Sequence, residues 1–424
     1  MYNLLTRRFG ARAKLTCFLS TSTRPPPTTS TPPSPGLFQN PIVEHLWSTR
    51  HASSPSHEAY SEAVPRPPSL SSSSVLYPFS SDPVLRETYK SPWGEVRLGK
   101  VLEDLDAAAG NVAYSHCVKG GAWPTPLLVT AGVDSIQLLD GSRADVERDM
   151  VLTGAVQWVG SSSLSLTMSC RSEGSVKPWL TAKFTFVARD AETGRATKIV
   201  ELLPETEEEK EQFEVGRLAA ERKKEVRKAS KVQSAYTLEM EKMAHDMLAK
   251  AAPLSKMPAL APPNLLLMSR TELHNAFVAQ PQQRNMANRI FGGFLMRRAF
   301  ELAFATAYSF GGVRPKFVEV DDISFLEPVD VGDLLVFHAR VLYTLPDGGE
   351  LRLDGDNPLA IIEVEAWVQD PVAVTSEVSN RLYFTFSLPG KESCREVVPE
   401  NLAEAKRAAQ RMLADLEQVG AKKV

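Results

Sequence analysis

Cysteine is scarce in this chain: the four present (Cys17, Cys117, Cys170 and Cys394) are widely spaced. None forms a Cys-x-x-Cys pair, which argues against a zinc site or a redox dithiol. Cys117, Cys170 and Cys394 are expected to be reduced and buried, as small hydrophobes. Long apolar runs are missing too, so no membrane-spanning helix is expected. An excess of one charge is also absent. The 48 Lys and Arg against 51 Asp and Glu leave a formal net charge of -3, which gives no electrostatic reason to expect a nucleic-acid partner. No Gly-x-Ser-x-Gly elbow, P-loop, dinucleotide fingerprint or His-Glu-x-x-His occurs. A serine-triad hydrolase of the elbow type, a nucleotide-dependent enzyme and a zinc protease therefore lack their signatures. No metal site is expected.

One absence is local. No Asp or Glu precedes Glu44, whereas Arg7, Arg8, Arg12, Lys14 and Arg24 do. Leu4, Leu5, Phe9, Leu15 and Phe18 can gather on one side of a helix, and Ser, Thr and Pro follow densely. This is the composition of a mitochondrial transit peptide, read here over residues 1–40, with the matrix as the expected compartment. A secretory signal would need a continuous apolar core. Residues 41–82, with Pro and Ser dense from Pro55 to Ser81, read as a disordered linker.

What is present centres on the stretch from Asn288 to Tyr308. Gly292 and Gly293 open a segment in which only Arg297, Arg298 and Glu301 are charged. A helix apolar on nearly every face is a buried one. Two glycines at its start let another backbone or a ligand come close. The free amides of a first helical turn carry partial positive charge and can hold a developing oxyanion.

A degraded copy of this stretch lies earlier. Aligning Gly99 with Gly293 puts Asp106 on Phe300 and Tyr114-Ser115 on Tyr308-Ser309. Farther on, the run from Val133 to Leu138 matches Val320 to Phe325, and Phe184 to Val187 matches Phe384 to Ser387. The four anchors keep one order, so two tandem domains are expected. The first is placed at 83–204 and the second at 264–424, each a long helix followed by strands, so the fold class is α+β. The strands expected in the first are Leu127 to Leu139, Val151 to Val159, Leu164 to Cys170 and Leu180 to Ala188. In the second they are Phe317 to Phe325, Leu334 to Tyr343, Leu359 to Trp367 and Leu382 to Leu388. Residues 205–263 form a charged helical connector, acidic first and basic later as a helix dipole favours, broken from Pro253. An amphipathic helix near Pro399 to Val419 is expected to lie on the second domain.

A buried helix opening on Phe-Gly-Gly, with Arg314-Pro315 and then Val320-Asp321-Asp322-Ile323, resembles the tandem hotdog-fold acyl-coenzyme A thioesterases of the mitochondrial 9/10 type. The resemblance runs more loosely from about Trp93 to Pro389. It implies two hotdog domains, each a long helix wrapped by a largely antiparallel sheet. It implies hydrolysis of acyl-coenzyme A, with coenzyme A as part of the substrate and no cofactor besides, and a homo-oligomer of tandem chains. It implies that a helix N-terminus polarises the thioester oxygen while a carboxylate of the partner hotdog attacks or activates water.

Transferred onto these residues, the acid is Asp106 and the helix turn is Gly292-Gly293. The matching positions in the other copies are Phe300 and Leu98-Gly99, so one complete and one dead site are expected. The polar residue ahead of the glycines is Asn288, one place farther out than in the family pattern, with Arg289 in the nearer place. Asn288 is alternatively a helix cap. Arg284, Arg289 and Arg314 are the candidates to meet coenzyme A phosphates. Glu301, four residues after Arg297, is expected to pair with it. Asp321 and Asp322 are expected to be structural. Two alternatives stay open: a hotdog enoyl-coenzyme A hydratase, and a non-catalytic acyl-coenzyme A-binding or scaffold protein.

Overall fold

The computed structural model describes residues 65–119, 126–139, 144–190, 193–229, 235–256, 262–285, 289–325, 327–349, 351 and 353–422. The transit-peptide segment lies outside them, as do Asn288 and most of the proposed linker.

The first copy comprises β1 (Ser73–Tyr77), α1 (Pro83–Tyr89), α2 (Leu98–Lys119), β2 (Leu127–Leu138), β3 (Met150–Val159), β4 (Ser163–Ser172) and β5 (Leu180–Arg189). Helices α3 (Glu207–Ala229) and α4 (Ala235–Lys256) follow. The second copy has β6 (Leu265–Leu267), β7 (Leu273–Val278), α5 (Gly292–Gly311), β8 (Lys316–Phe325), β9 (Leu334–Leu345), β10 (Leu353–Asp356), β11 (Leu359–Asp370), β12 (Thr375–Ser387), β13 (Glu396–Val398) and α6 (Leu402–Lys422). The fold is α+β, two hotdog domains in tandem.

Ten strands form one sheet in the order β1-β3-β4-β5-β2-β8-β12-β11-β9-β7. All its pairings among the described residues are antiparallel. The two copies meet where β2 pairs with β8. Val133 faces Ile323 and Ile136 faces Val320. Each pair is the image of the other under the repeat alignment, so a pseudo-two-fold axis passes between them. Gly132 lies at this seam, where a Cβ would stand 3.0 Å from the Ile323 carbonyl oxygen.

The same axis relates α2 and α5, which pack together beneath the sheet. Val101, Leu105, Ala108, Ala109 and Val112 of α2 are fully buried. Leu295, Met296, Ala299 and Ala303 do the same for α5. Burying each large side chain contributes roughly 1.5–3 kcal/mol, so the two central helices anchor one shared core. The C-terminus of α5 is set by Gly312, whose φ of 64° is left-handed and suits glycine at this place.

Three expectations change. The linker reading fails at its end, because β1 is a paired edge strand with Tyr77 fully buried. The serines hid the alternation of Val75 and Tyr77. The connector is two helices, and α4 continues through Pro253 to Lys256. Helix α3 comes down on β3, where a Cβ on Gly216 would meet Trp158 at 2.6 Å. Finally, α6 covers a charged layer as well as an apolar one. Its Arg411 pairs with Asp415 and with Asp321 of β8, and Arg407 reaches Glu365 of β11. Asp321 thus has the structural role expected of it; the side chain of Asp322 lies outside the described residues.

Candidate active site

The chain ahead of α5 turns back on itself before the helix begins. Gln280 and Gln283 form a reciprocal capping box around Pro281–Gln283. The Phe291 amide then donates to the Gln283 carbonyl at 2.9 Å. Phe291 is the N-cap of α5 and offers no side-chain acceptor to the first turn. The helix therefore starts with amides that need a partner from elsewhere. Because the N-cap is Phe291, Asn288 is not the N-cap residue.

That partner comes from the other copy. The Gly293 amide donates to Oδ2 of Asp106 at 2.7 Å. Asp106 is only 2 % exposed, so this is a buried charge-assisted bond between the two domains. Its position at a helix N-terminus adds the favourable end of the helix dipole. The Thr130 hydroxyl, from β2, donates to Oδ1 at 3.1 Å. Both carboxylate oxygens are thus held, one by each domain.

The approach depends on the glycines. A Cβ on Gly293 would meet the Glu103 carbonyl oxygen at 2.7 Å and the Asp106 Cβ at 3.1 Å. One on Gly292 would meet the Phe325 ring at 3.1 Å and Oδ2 of Asp106 at 3.2 Å. Nearby, Arg297 bonds Glu103 of α2 at 2.9 Å and its own helix's Glu301 at 3.3 Å, binding the helices together.

The expected residues do not all converge. Asp106, Gly292 and Gly293 form one cluster. Arg284 and Arg289 sit in the turn leading to it: Arg284 bridges Ile290, and Arg289 pairs with Asp330 at 3.5 Å. Arg314 is elsewhere, beyond the far end of α5, paired with Glu95 and lying 4.6 Å over the Trp93 ring. A 20-residue helix separates it from the other two arginines. Thr130 and Phe325 were missed. Phe325 closes the Val-Asp-x-Ile-x-Phe pattern, which was its signal; Thr130 had none.

The mirror-image position is built differently. Gly99 of α2 lies against Phe300 and Glu301 of α5, each 3.4 Å from where its Cβ would be. Phe300 stands in the place of Asp106, and it packs edge-on against Phe317 with ring centroids 5.5 Å apart. By the strand alignment Phe317 is the counterpart of Thr130. A carboxylate–hydroxyl pair in one copy is a ring pair in the other.

Comparison with known proteins agrees with this architecture. The profile of the thioesterase superfamily matches residues 287–345. Acyl-coenzyme A thioesterase 4, mitochondrial, of Humulus lupulus is 43% identical over 406 residues, 90% of this chain and 74% of that protein. Acyl-coenzyme A thioesterase 2, chloroplastic, of the same plant is 41% identical, covering 90% of both. Acyl-coenzyme A thioesterase 9, mitochondrial, of Homo sapiens is 40% identical over 66% of this chain and 65% of its own length. With the two hotdogs, the shared sheet and these relatives, the chain belongs to the acyl-coenzyme A thioesterase family.

Proposed function

We propose that the chain hydrolyses acyl-coenzyme A thioesters to free fatty acid and coenzyme A at the junction of Asp106 with the start of α5. The observation that carries this is the 2.7 Å bond from the Gly293 amide to Asp106 across the two domains. It supports a reading in which Asp106 is the base and the α5 terminus the polarising group at one carbonyl, as the chemistry needs. A thioester is already activated, so this pair can suffice without a serine triad.

On substrate binding the thioester oxygen takes over the Gly293 amide. Asp106 Oδ2, released from that bond, accepts a proton from water while Thr130 keeps Oδ1 in place. The hydroxide oxygen bonds to the carbonyl carbon, and the oxyanion is held by the helix terminus. Collapse breaks the carbon–sulfur bond. The thiolate takes up the proton held by Asp106, and the carboxylic acid gives its own proton to solvent and leaves as the carboxylate. In the same reading Asn288 orients the water or the thioester, and Arg284 and Arg289, in the turn that leads to α5, meet the phosphates. Assembly into a homo-oligomer of tandem chains, implied by the family resemblance, belongs to the same proposal.

Free-thiol release is the test. Asp106→Asn is expected to lower kcat about a hundredfold or more, the usual cost of removing a general base. Unchanged turnover in that variant would remove Asp106 from the mechanism.

The basic, acid-free N-terminus and the mitochondrial names of two of these relatives support import into mitochondria, and into the matrix within them. A chloroplastic relative makes the location worth testing directly. Residues 1–82 fused to a fluorescent protein are expected to label the mitochondrial matrix; label in a plastid would overturn the assignment.

A further inference from the structure

The last strand of the second copy's sheet carries a histidine that the proposed chemistry does not use, and its neighbour carries another. His274 of β7 and His338 of β9 are paired directly across the two strands. Side chains directly opposite each other share a face of the sheet, so both rings stand on one side. Their Nδ1 atoms face each other at 2.7 Å, and the rings cross at 83° with centroids 4.5 Å apart. A proton holds such a pair together, with one Nδ1 donating and the other accepting. Two imidazole nitrogens aimed at one place are also what zinc or copper(II) binds.

The surroundings suit that exchange. Glu272 lies 3.8 Å from Nε2 of His274, the ring nitrogen that points away from the pair. A carboxylate at the far nitrogen orients a histidine and makes it a stronger ligand. Trp367 packs edge-on against the His338 ring, with centroids 6.4 Å apart, and holds that ring in place. The neighbouring cation, Arg340, is paired with Glu363 at 2.6 Å. His274 is half exposed, so its ring has room to turn. Two nitrogens bound to one tetrahedral zinc stand roughly 3.3 Å apart, so the pair has to part by only about 0.6 Å. A cleft of about 260 Å³ beside His338 leaves space for water. Among the described residues no group of three or more His, Cys, Asp or Glu side chains is arranged to hold a metal. The ion would take two protein nitrogens and complete its shell with water.

We propose that His274 and His338 form a binding site for a divalent transition-metal ion, zinc or copper(II), that joins β7 to β9. The proton leaves the donating Nδ1, and Nε2 of the same ring takes one up. Both Nδ1 lone pairs then face the ion, both rings stay neutral, and no net proton is lost. At His274 the Nε2–H donates towards Glu272. Strand β7 is the outermost of the sheet, paired on one side only, and it runs through Ala279 into the turn that leads to α5. The ion braces the strand from which that turn departs. The ligand class follows from the two side chains and does not rest on the hydrolase reading.

The test uses the full chain stripped of metal by a chelator. Copper(II) is titrated and followed by electron paramagnetic resonance, and zinc by competition with a colorimetric indicator. The parent is expected to bind about one equivalent of either ion beyond what the double variant His274→Gln, His338→Gln holds. Its copper spectrum should carry the splitting of two imidazole nitrogens, which the double variant should lack. Glu272→Gln should keep the equivalent and bind it roughly tenfold to a hundredfold more weakly. Saturating zinc should raise the melting temperature of the parent more than that of the double variant, because an ion held only by the folded chain stabilises it. Equal binding of copper and zinc by the parent and the double variant overturns the proposal. So does displacement of zinc by magnesium, which would give the site to the carboxylates Glu272 and Glu365. If the double variant does not fold, the half-exposed His274→Gln decides alone: loss of the two-nitrogen copper signal supports the site, and an unchanged signal overturns it.

Discussion

Among the bonds of Asp106 are one from α5 and one from β2, and in the proposed mechanism they have different tasks. There the Gly293 amide is the donor that passes to the thioester oxygen. The Thr130 hydroxyl, in the middle of β2, only fixes where the carboxylate points. A hydrogen bond to a charged group is worth about 1.5–3 kcal/mol. Thr130→Val should therefore lower kcat by roughly tenfold to a hundredfold, with a smaller change in KM, and Thr130→Ser should restore most of the rate. Steady-state thiol release on the three proteins checks it, and a kcat for Thr130→Val within twofold of the parent would deny the hydroxyl a part. A second single-residue prediction concerns pH. His116 is fully buried, and its Nε2 lies 3.0 Å from the Val200 carbonyl oxygen. Burial pushes its pKa below the ordinary histidine value, against the opposing pull of that carbonyl. The unfolded chain therefore binds a proton near the ordinary value that the folded chain refuses. Stability is then full above that range and declines as pH falls through it, by at most about 1.4 kcal/mol per pH unit for one proton. Denaturant midpoints at pH 7.5 and 5.5 should differ less in His116→Gln than in the parent; an equal difference would move the acid sensitivity to other groups.

The elements set how much was legible in advance. The strands of both copies were readable because they alternate and carry β-branched and aromatic side chains, and both central helices because their apolar residues recur at helical spacing. Strand β1 was not, since its serines look like linker while its pairing with β3 is supplied by the fold. Strands β6, β10 and β13 escaped because three or four residues show no period. Asp106 and the Gly-Gly turn could be found because the family resemblance marks the acid position and the helix turn, and the repeat alignment shows which copy keeps each. Thr130 could not, because a threonine on a strand is ordinary until the strand's face is known. The two helix starts provide a paired test of the close approach. At Gly293 an added Cβ would have to displace a backbone oxygen at 2.7 Å, whereas at Gly99 its neighbours are side-chain atoms at 3.4 Å or more. Backbone cannot yield as a side chain can. Gly293→Ala should thus separate α2 from α5, cost stability and abolish most thiol release. Gly99→Ala should lower the melting temperature little, because its contacts are ordinary van der Waals ones. Melting curves and activity measured together decide it, and equal effects would mean that the crossing of the helices is less tight than these contacts require.

At the scale of the molecule, the covalent link between the copies and the surface that joins them are different things. The joining surface is the β2–β8 seam, the packing of α2 on α5, the Arg297–Glu103 pair and the Asp106–Gly293 bond. None of these passes through the connector, where α3 lies on β3 and α4 packs its Ala244 with Ala405 and Ala409 of α6. Each copy alone would expose an unpaired strand edge and the apolar side of its central helix, a combination that invites aggregation. Fusion lets one copy do without the acid and the other without the Gly-Gly turn, because the halves never pair with themselves. Two chains cut between Ala229 and Ala235 should therefore recover the joint site when produced together. Co-expression is expected to yield a stable one-to-one complex with thiol release near that of the intact chain, while either half alone should be inactive and poorly soluble. Asp106→Asn in the first half should abolish activity in the complex, because the second half carries Phe300 where that acid would be. A second half that hydrolyses thioesters by pairing with itself would show that the site does not need Asp106 from the other copy, and the division of labour between the two hotdogs would then be wrong.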